Sequence, residues 1–341
     1  MIKKLLRSAL VATACATISL ASFAAAPEKP ELKLAVGSSI LGYAPVPLTA
    51  KLGYFKEEGL DVTTENFQAG GSKALQALIG GSVDVVVGAF DHTIQMQAKG
   101  KDIVGVFLLN EVPGVVFDVR ADLAGKVHGL KDLKGMKIGI TTPGSSTDMI
   151  ARYTMSRAGL TDRDVSFIGV GSGAPGMVAL EAKNVDALLS YDPVATQLLK
   201  KGQVKRLFDA RTVAGSTAAF GAPYPFACVY VTRAFLEQNP ETVQRLANAF
   251  LRTVRWIDAS SPKTIVDTLP PQSKLGDPQL NEAIWAASKG MFSKTGMFNP
   301  DTVKTPLAVL SAYDPAVGKA KIDLKRTYTN KFAEAAAKQV K

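Results

Sequence analysis

The sequence predicts an α/β protein made of two similar lobes, each built on a mostly parallel sheet. Three observations predict it. Short apolar runs rich in Val and Ile alternate with stretches of helical period, the pattern of βαβ units. That pattern begins near Glu31 and restarts after the apolar run at 115–122. The restart also echoes the first half: Ala77-Leu78, four residues, Val83-Asp84 matches Ala179-Leu180, four residues, Val185-Asp186. The same offset aligns the 70–72 loop with 172–174, and Phe90 with Asp192.

In the first half, strands are expected over 32–37, 60–64, 83–90 and 102–110, with helices over 45–52, 73–79 and 93–98 between them. In the second half the strands fall at 137–141, 164–170, 185–192 and 204–209. The first of these, KIGIT, is broken by Pro143 and Gly144. Ser145, Ser146 and Thr147 follow as helix N-cap types, and Met149, Ile150, Tyr153 and Met155 keep roughly helical spacing until Gly159. A strand, a small polar loop and a helix N-terminus make a concave site with free N–H groups.

From 225 the chain changes character. PFACVYV is one more strand, and helices follow over 242–258, 262–269, 278–292 and 301–313. Val243, Leu246, Phe250 and Val254 mark one face of the first of these. A strand followed by helices reads as a return to the first lobe. The expected division is therefore lobe 1 at 25–120 plus 225–341 and lobe 2 at 121–224, with hinge connections near 118–122 and 222–224.

Composition narrows the function. The chain has 341 residues, 47% hydrophobic and 21% charged, a globular balance. Lys3, Lys4 and Arg7, an apolar stretch from Ala9 to Leu20 and then small residues read as a secretory signal peptide over 1–24, cleaved near Ala24. Cys15 lies inside its apolar core and is a poor lipidation site. With the peptide removed, Cys228 is the one thiol left, so no internal disulfide is expected. FACVYV places it as a small buried core residue. Net charge falls from +10 to +7, and the basic residues are scattered without interleaved aromatics, which speaks against nucleic acid. No His/Cys cluster has metal spacing, and the glycine-rich 169–176 stretch lacks the Lys-Ser/Thr pair of a P-loop. No cofactor is expected.

Two long stretches then carry a resemblance: GYFKEEGLDVTTENFQAGGSKALQALIGGSVDVVVG and DLKGMKIGITTPGSSTDMIARYTMSRAGLTDRDVSFIGVGSG. They resemble the nitrate/sulfonate/taurine-type solute-binding proteins of ABC importers, a family that also covers pyrimidine-precursor binders. The resemblance runs from Leu32 to Asp258 and weakens in the C-terminal helices. It implies a class II periplasmic binding protein: two α/β lobes, two crossovers and a ligand cleft that closes on binding. It also implies a monomer in the periplasm that serves an inner-membrane ABC permease and its ATPase. The family's ligand loops match 38–43, 70–72, 89–92, 145–147 and 191–193 here.

The site residues expected on that basis are Ser38, Ser39, Tyr43, Gly71, Ser72, Phe90, Asp91, His92, Ser145, Ser146, Thr147, Tyr191 and Asp192. Each also has a plainer reading. Ser145 or Ser146 is either a ligand contact or a helix cap; Gly71 and Ser72 form either a second such loop or a tight turn. Tyr43, Phe90 and Tyr191 sandwich a ring or pack the core. His92 donates to an anion if protonated, fixes a ring edge if neutral, or caps a helix. Asp192 lines the cleft mouth or opens a helix before Pro193. Asp91 argues against a bare dianion beside it and favours a ligand with an amine or hydroxyl. The leading ligand class is a small organic anion: a sulfonate, a taurine-like molecule or a carboxylate. The alternatives are a thiamin-related pyrimidine precursor, an enzyme of the pyrimidine-synthase branch of the fold, or a sensor subunit. The enzyme reading needs a cofactor lysine or a cysteine-rich iron site, which the chain does not display.

Overall fold

A computed structural model describes residues 26–340 apart from Ala69, so the expected signal peptide and Cys15 lie outside the described residues. The strands are β1 (Glu31–Val36), β2 (Asp61–Asn66), β3 (Val85–Ala89), β4 (Ile103–Leu108), β5 (Val115–Arg120), β6 (Lys137–Ile140), β7 (Ser166–Gly169), β8 (Ala187–Tyr191), β9 (Val204–Asp209) and β10 (Ala227–Thr232). They form two five-stranded sheets, in the orders β2-β1-β3-β10-β4 and β7-β6-β8-β5-β9. Each sheet has one antiparallel member, β10 in the first and β5 in the second. In both cases it is the strand that enters the lobe directly from the other one.

The internal echo has a physical basis. Asp84 and Asp186 sit just ahead of β3 and β8, and each clamps one residue of its neighbour strand, β1 or β6. The Asp84 carboxylate accepts from the Lys33 N–H at 3.0 Å, and that of Asp186 from the Lys137 N–H at 2.9 Å. The aspartates' own N–H groups donate back to the carbonyls of Lys33 and Lys137 at 2.9 and 2.8 Å. The recurring Val-Asp pair is thus one register-setting device used once per lobe.

Around the sheets lie α1 (Pro45–Lys51), α2 (Tyr54–Glu57), α3 (Gly71–Ile79), α4 (Asp91–Ala98), α5 (Ser146–Arg157), α6 (Ala174–Glu181), α7 (Val194–Lys200) and α8 (Val213–Phe220). The C-terminal part supplies α9 (Arg233–Gln238), α10 (Pro240–Ala259), α11 (Pro262–Thr268), α12 (Pro278–Ser288), α13 (Lys304–Tyr313), α14 (Pro315–Lys319), α15 (Leu324–Thr327) and α16 (Lys331–Gln339). Helices on both faces explain why β3, β4 and β8 are buried along their whole length; β3 and β4 read as unbroken apolar runs, and β8 as one interrupted by Ser190. In α10, Val243, Leu246, Phe250 and Val254 are all fully buried, as their spacing predicts. Phe250 meets Phe55 edge-on at 5.4 Å, which fastens α10 to the first lobe. Helix α13 packs on both α4 and α5, and Met149 of α5 joins an apolar cluster with Phe298, Val303 and Leu310.

One boundary differs from expectation. The first crossing lies at 109–114, between β4 and β5, and not at 118–122. Val115–Arg120 pairs with β8 and β9, so it belongs to the second sheet; its apolar run continues the first half in sequence, which hid the change of lobe. The return crossing occupies 221–226, between α8 and β10.

The turn after β1 is tightly fitted. A Cβ on Gly37 would overlap the backbone of Gly70 and Gly71, where α3 begins. Gly37→Ala is expected to push α3 off β1 and cost roughly 1–3 kcal/mol. A urea titration reads this as a lower midpoint, and an unchanged midpoint would show that the turn relaxes freely.

Candidate functional site

The C-terminal ends of the strands face one another across the two sheets, and Asp91 lies between them. It is the first residue of α4 and has no solvent exposure. Ser146 Oγ, from α5 in the second lobe, donates to its Oδ1 at 3.1 Å. Tyr224 Oη, from the return crossing, donates to its Oδ2 at 3.0 Å. Burial pushes the Asp91 pKa up; the neighbouring His92, the two hydroxyls and the His92 N–H pull it down. A buried carboxylate so provided with donors is an acceptor that joins both lobes and a crossing.

His92 is likewise fully buried. Its Nδ1 lies 3.3 Å from Tyr230 Oη, while Nε2 has no partner among the described residues. Burial holds its pKa below the ordinary 6.5, against the pull of Asp91. The ring backs Gly71, where an added Cβ would come within 3.0 Å of Cε1. Tyr43 is buried nearby, and burial followed by the charge of Asp91 pushes its hydroxyl pKa well up.

The hydroxyls at the start of α5 are mostly spent. Ser145 Oγ accepts from Thr141 Oγ1 at 2.6 Å, and Thr147 Oγ1 accepts from the Thr141 N–H at 2.8 Å. Asp148 occupies the first turn, accepts from the Gly144 N–H at 2.8 Å and pairs with Arg152 at 2.7 Å. A carboxylate already fills the favourable place at this helix end, so Ser145 and Thr147 form an internal brace and not the expected anion cradle. Ser146 faces Asp91. Ser72 Oγ meets Thr142 Oγ1 across the lobes at 2.9 Å, in place of a free loop hydroxyl.

Two more expectations change. Phe90 packs against Phe298 and Tyr328, at 5.1 and 6.2 Å, inside the first lobe. Its side chain turns away from the cleft, so it forms no sandwich with Tyr43 and Tyr191. Asp192 is a latch. Its Oδ2 accepts from Arg211 at 3.0 Å and from Ser288 Oγ of α12 at 2.9 Å, its Oδ1 from the Thr196 N–H at 3.0 Å. Its carbonyl accepts the Leu41 N–H at 3.0 Å. Arg211 is itself shared with Asp209, so neither charge is free for a ligand. Tyr191 lies over Phe226, with centroids 5.6 Å apart. Tyr191 and Asp192 separate two small cavities between the lobes. One is lined by Ser39, Ile40, Thr141, Ser172 and Ser190, the other by Gly42, Gly114, Ser288 and Met291. Ser38 is buried behind Ser39, whose hydroxyl accepts from Asn66 Nδ2 at 2.7 Å.

With two mixed sheets joined by two crossings and a polar seam between them, the comparison with known proteins is direct. The model of the NMT1-like family matches residues 25–268. The chain belongs to the NMT1-like family. A solved structure from Bordetella bronchiseptica RB50 is 38% identical, with a TM-score of 0.88, over 92% of this chain and 98% of that one. The alkanesulfonate-binding protein SsuA from Xanthomonas axonopodis pv. citri, bound to MOPS, is 18% identical with a TM-score of 0.70, over 91% and 98%. It shows the shared fold: a two-lobed periplasmic-binding-protein architecture. A 4-amino-5-hydroxymethyl-2-methylpyrimidine phosphate synthase from Aspergillus parasiticus is 25% identical over 300 residues, 85% of this chain and 83% of that protein.

Within this NMT1-like chain, sequence reasoning missed Tyr224, Arg211, Ser190 and Ser288. Tyr224 sits in a crossing with no periodic signal. Ser288 lies in the C-terminal helices, where pattern says nothing of which lobe a side chain reaches. Ser190 did leave a sign: it is the polar residue that directly follows the apolar run Ala187–Leu189 within β8.

Ser288→Ala removes one bond to a charged group, about 1.5 kcal/mol, or roughly tenfold in the ratio of open to closed forms. Small-angle scattering of the ligand-free protein is expected to show a larger radius of gyration; an unchanged curve would sink the latch. His92 gives a pH signature. Because its folded pKa lies below 6.5, the unfolded chain binds more protons between the two values. Its contribution to stability is present above 6.5 and lost as pH falls through that window. The raised pKa of Asp91 acts with the opposite sign, upward from 3.8, so the comparison is between wild type and His92→Gln. Urea midpoints are expected to fall less steeply on acidification in the variant, and parallel profiles would remove His92 as the cause.

Proposed function

We propose that this protein is the substrate-binding component of an ABC importer, exported to the periplasm, and that it captures a small organic ligand between its lobes. The supporting observation is Asp91, a buried acceptor bridged by Ser146 of one lobe and Tyr224 of the return crossing. A ligand that donates to Asp91 and also reaches the second lobe binds the closed form better than the open one, and that difference drives closure. The closed protein then docks on a permease powered by an ATPase, acting as a monomer.

The chemistry of the seam guides the ligand class. Its free ionisable groups are an acceptor carboxylate and a neutral imidazole, while Arg211 is neutralised by Asp192 and Asp209. Bare inorganic anions such as nitrate fit poorly beside Asp91. Among the anions the sequence pointed to, a taurine-like amino sulfonate or amino carboxylate suits the seam, with its nitrogen toward Asp91. An amino-substituted pyrimidine suits it as well, and the synthase relative keeps that second reading in view. Cys228 does not supply a nucleophile: it is fully buried, and burial pushes its thiol pKa well up. The proposal is a carrier and not a catalyst.

The test is native mass spectrometry of protein purified from its own periplasm, followed by titration of the identified ligand into wild type and Asp91→Asn. Loss of a charged hydrogen bond is expected to weaken binding by at least about tenfold. Equal affinity, or a ligand without any nitrogen or hydroxyl donor, would overturn the role given to Asp91.

A further inference from the structure

The glycine-rich loop ahead of α6 takes no part in the Asp91 seam. Residues Gly171, Ser172 and Gly173 line the first of the two small cavities, and Gly173 is the N-cap of α6. Three features make this helix end differ from that of α5. The first turn of α6 carries no acidic residue, whereas that of α5 carries Asp148. The N–H groups of Ser172, Gly173 and Ala174 donate to no protein acceptor among the described residues. Gly173, at φ 70° and with no side chain, leaves the turn uncapped and its backbone open to close approach.

The second, independent observation is Ser190. It projects from β8 on the same face as Leu188, two residues away, toward the start of α6. It is 7% exposed and lines the same cavity. Its Oγ is fully buried, and no partner accepts from it or donates to it among the described residues. A buried hydroxyl without a partner costs about 1–3 kcal/mol, so a group that completes it is favoured. Asp192 also lines this cavity, but Arg211 holds its carboxylate at 3.0 Å and balances the charge.

We infer that the first turn of α6 and Ser190 together form a subsite for an oxyanion group of the ligand, a carboxylate, sulfonate or phosphate. Backbone N–H groups at a helix start carry partial positive charge and point outward, and the Ser190 hydroxyl adds a directed donor. The inference rests on the import reading above and deepens it. The captured molecule is two-ended, with a nitrogen donor for Asp91 and an oxyanion for α6. It also explains how a cleft without a free cation among the described residues accepts an anionic group.

The experiment uses the full mature protein labelled with nitrogen-15 and three probes: acetate, methanesulfonate and methyl phosphate. Saturable amide shifts at Ser172, Gly173 and Ala174 are expected with at least one probe, and the best of the three names the oxyanion. Ser190→Asp is expected to abolish these shifts and Ser190→Ala to weaken binding several-fold, with spectra of the rest of the protein unchanged. If the aspartate variant does not fold, the alanine variant decides. Shifts confined to Ser145–Thr147, no saturable shift with any probe, or equal affinity in the alanine variant overturns the inference. Lobe closure on a nitrogenous ligand without anion binding here would overturn this subsite and leave the import reading standing. Anion binding here with no ligand that closes the lobes would do the reverse.

Discussion

The carboxylate of Asp91 is removed from water and held by donors from three directions: the start of its own helix, Ser146 of the opposite lobe and Tyr224 of the return crossing. Removing a carboxylate from water costs several kcal/mol, which is tolerable while its donors stay in place. The arrangement of the lobes is therefore coupled to the solvation of one group. On the proposed import reading, opening the cleft would withdraw Ser146 and admit water, and closing would reverse both. Around it the other contacts between lobes, Ser72 with Thr142 and Asp192 with Ser288, are short and polar. They are individually weak and easily exchanged, as the proposed opening and closing would require. Apolar contacts add to them: Met149 of α5 packs with the α13 side, and Tyr191 lies over Phe226 of the return crossing.

Charge is distributed so that the seam stays discriminating. The second lobe carries its strong ion pairs away from free access: Arg206 grips the fully buried Asp118, and Arg211 bridges Asp209 and Asp192. Such pairs stiffen the end of the sheet without presenting a spare cation. On the proposed reading, an entering ligand would meet hydroxyls, N–H groups and one carboxylate, which reward hydrogen-bond geometry more than net charge.

Much of the fold was legible in the sequence. The fully buried β3 and β4 announced themselves as Val- and Ile-rich apolar runs, and the helix faces followed their period because burial on one side dictates it. The Val83-Asp84 and Val185-Asp186 echo was legible because both lobes solve the same register problem with the same side chain. The crossing at 109–114 was not, since β5 opens on an apolar run, Val115–Phe117, like that of β4, and nothing local marks which sheet a buried strand joins. The site was legible by loop and less so by residue. Strand ends placed Asp91, His92, Ser146 and Tyr191 near the seam. Whether a hydroxyl is free or spent depends on partners distant in sequence: Thr141 takes Ser145, Arg211 takes Asp192, and Phe298 draws Phe90 inward. Such pairings are set by tertiary packing.

The strand order also governs how the chain assembles. In the first sheet the one strand that β4 pairs with among the described residues is β10, which arrives more than a hundred residues later; until then β3 has an open edge and β4 no partner strand. The second sheet needs nothing outside Val115–Asp209, so it closes on a contiguous piece of chain. As the polypeptide emerges from its N-terminus, the lobe that begins second is the one that completes first. The earlier lobe must wait with Val- and Ile-rich strands uncovered, the state in which chains most readily aggregate or need an escort.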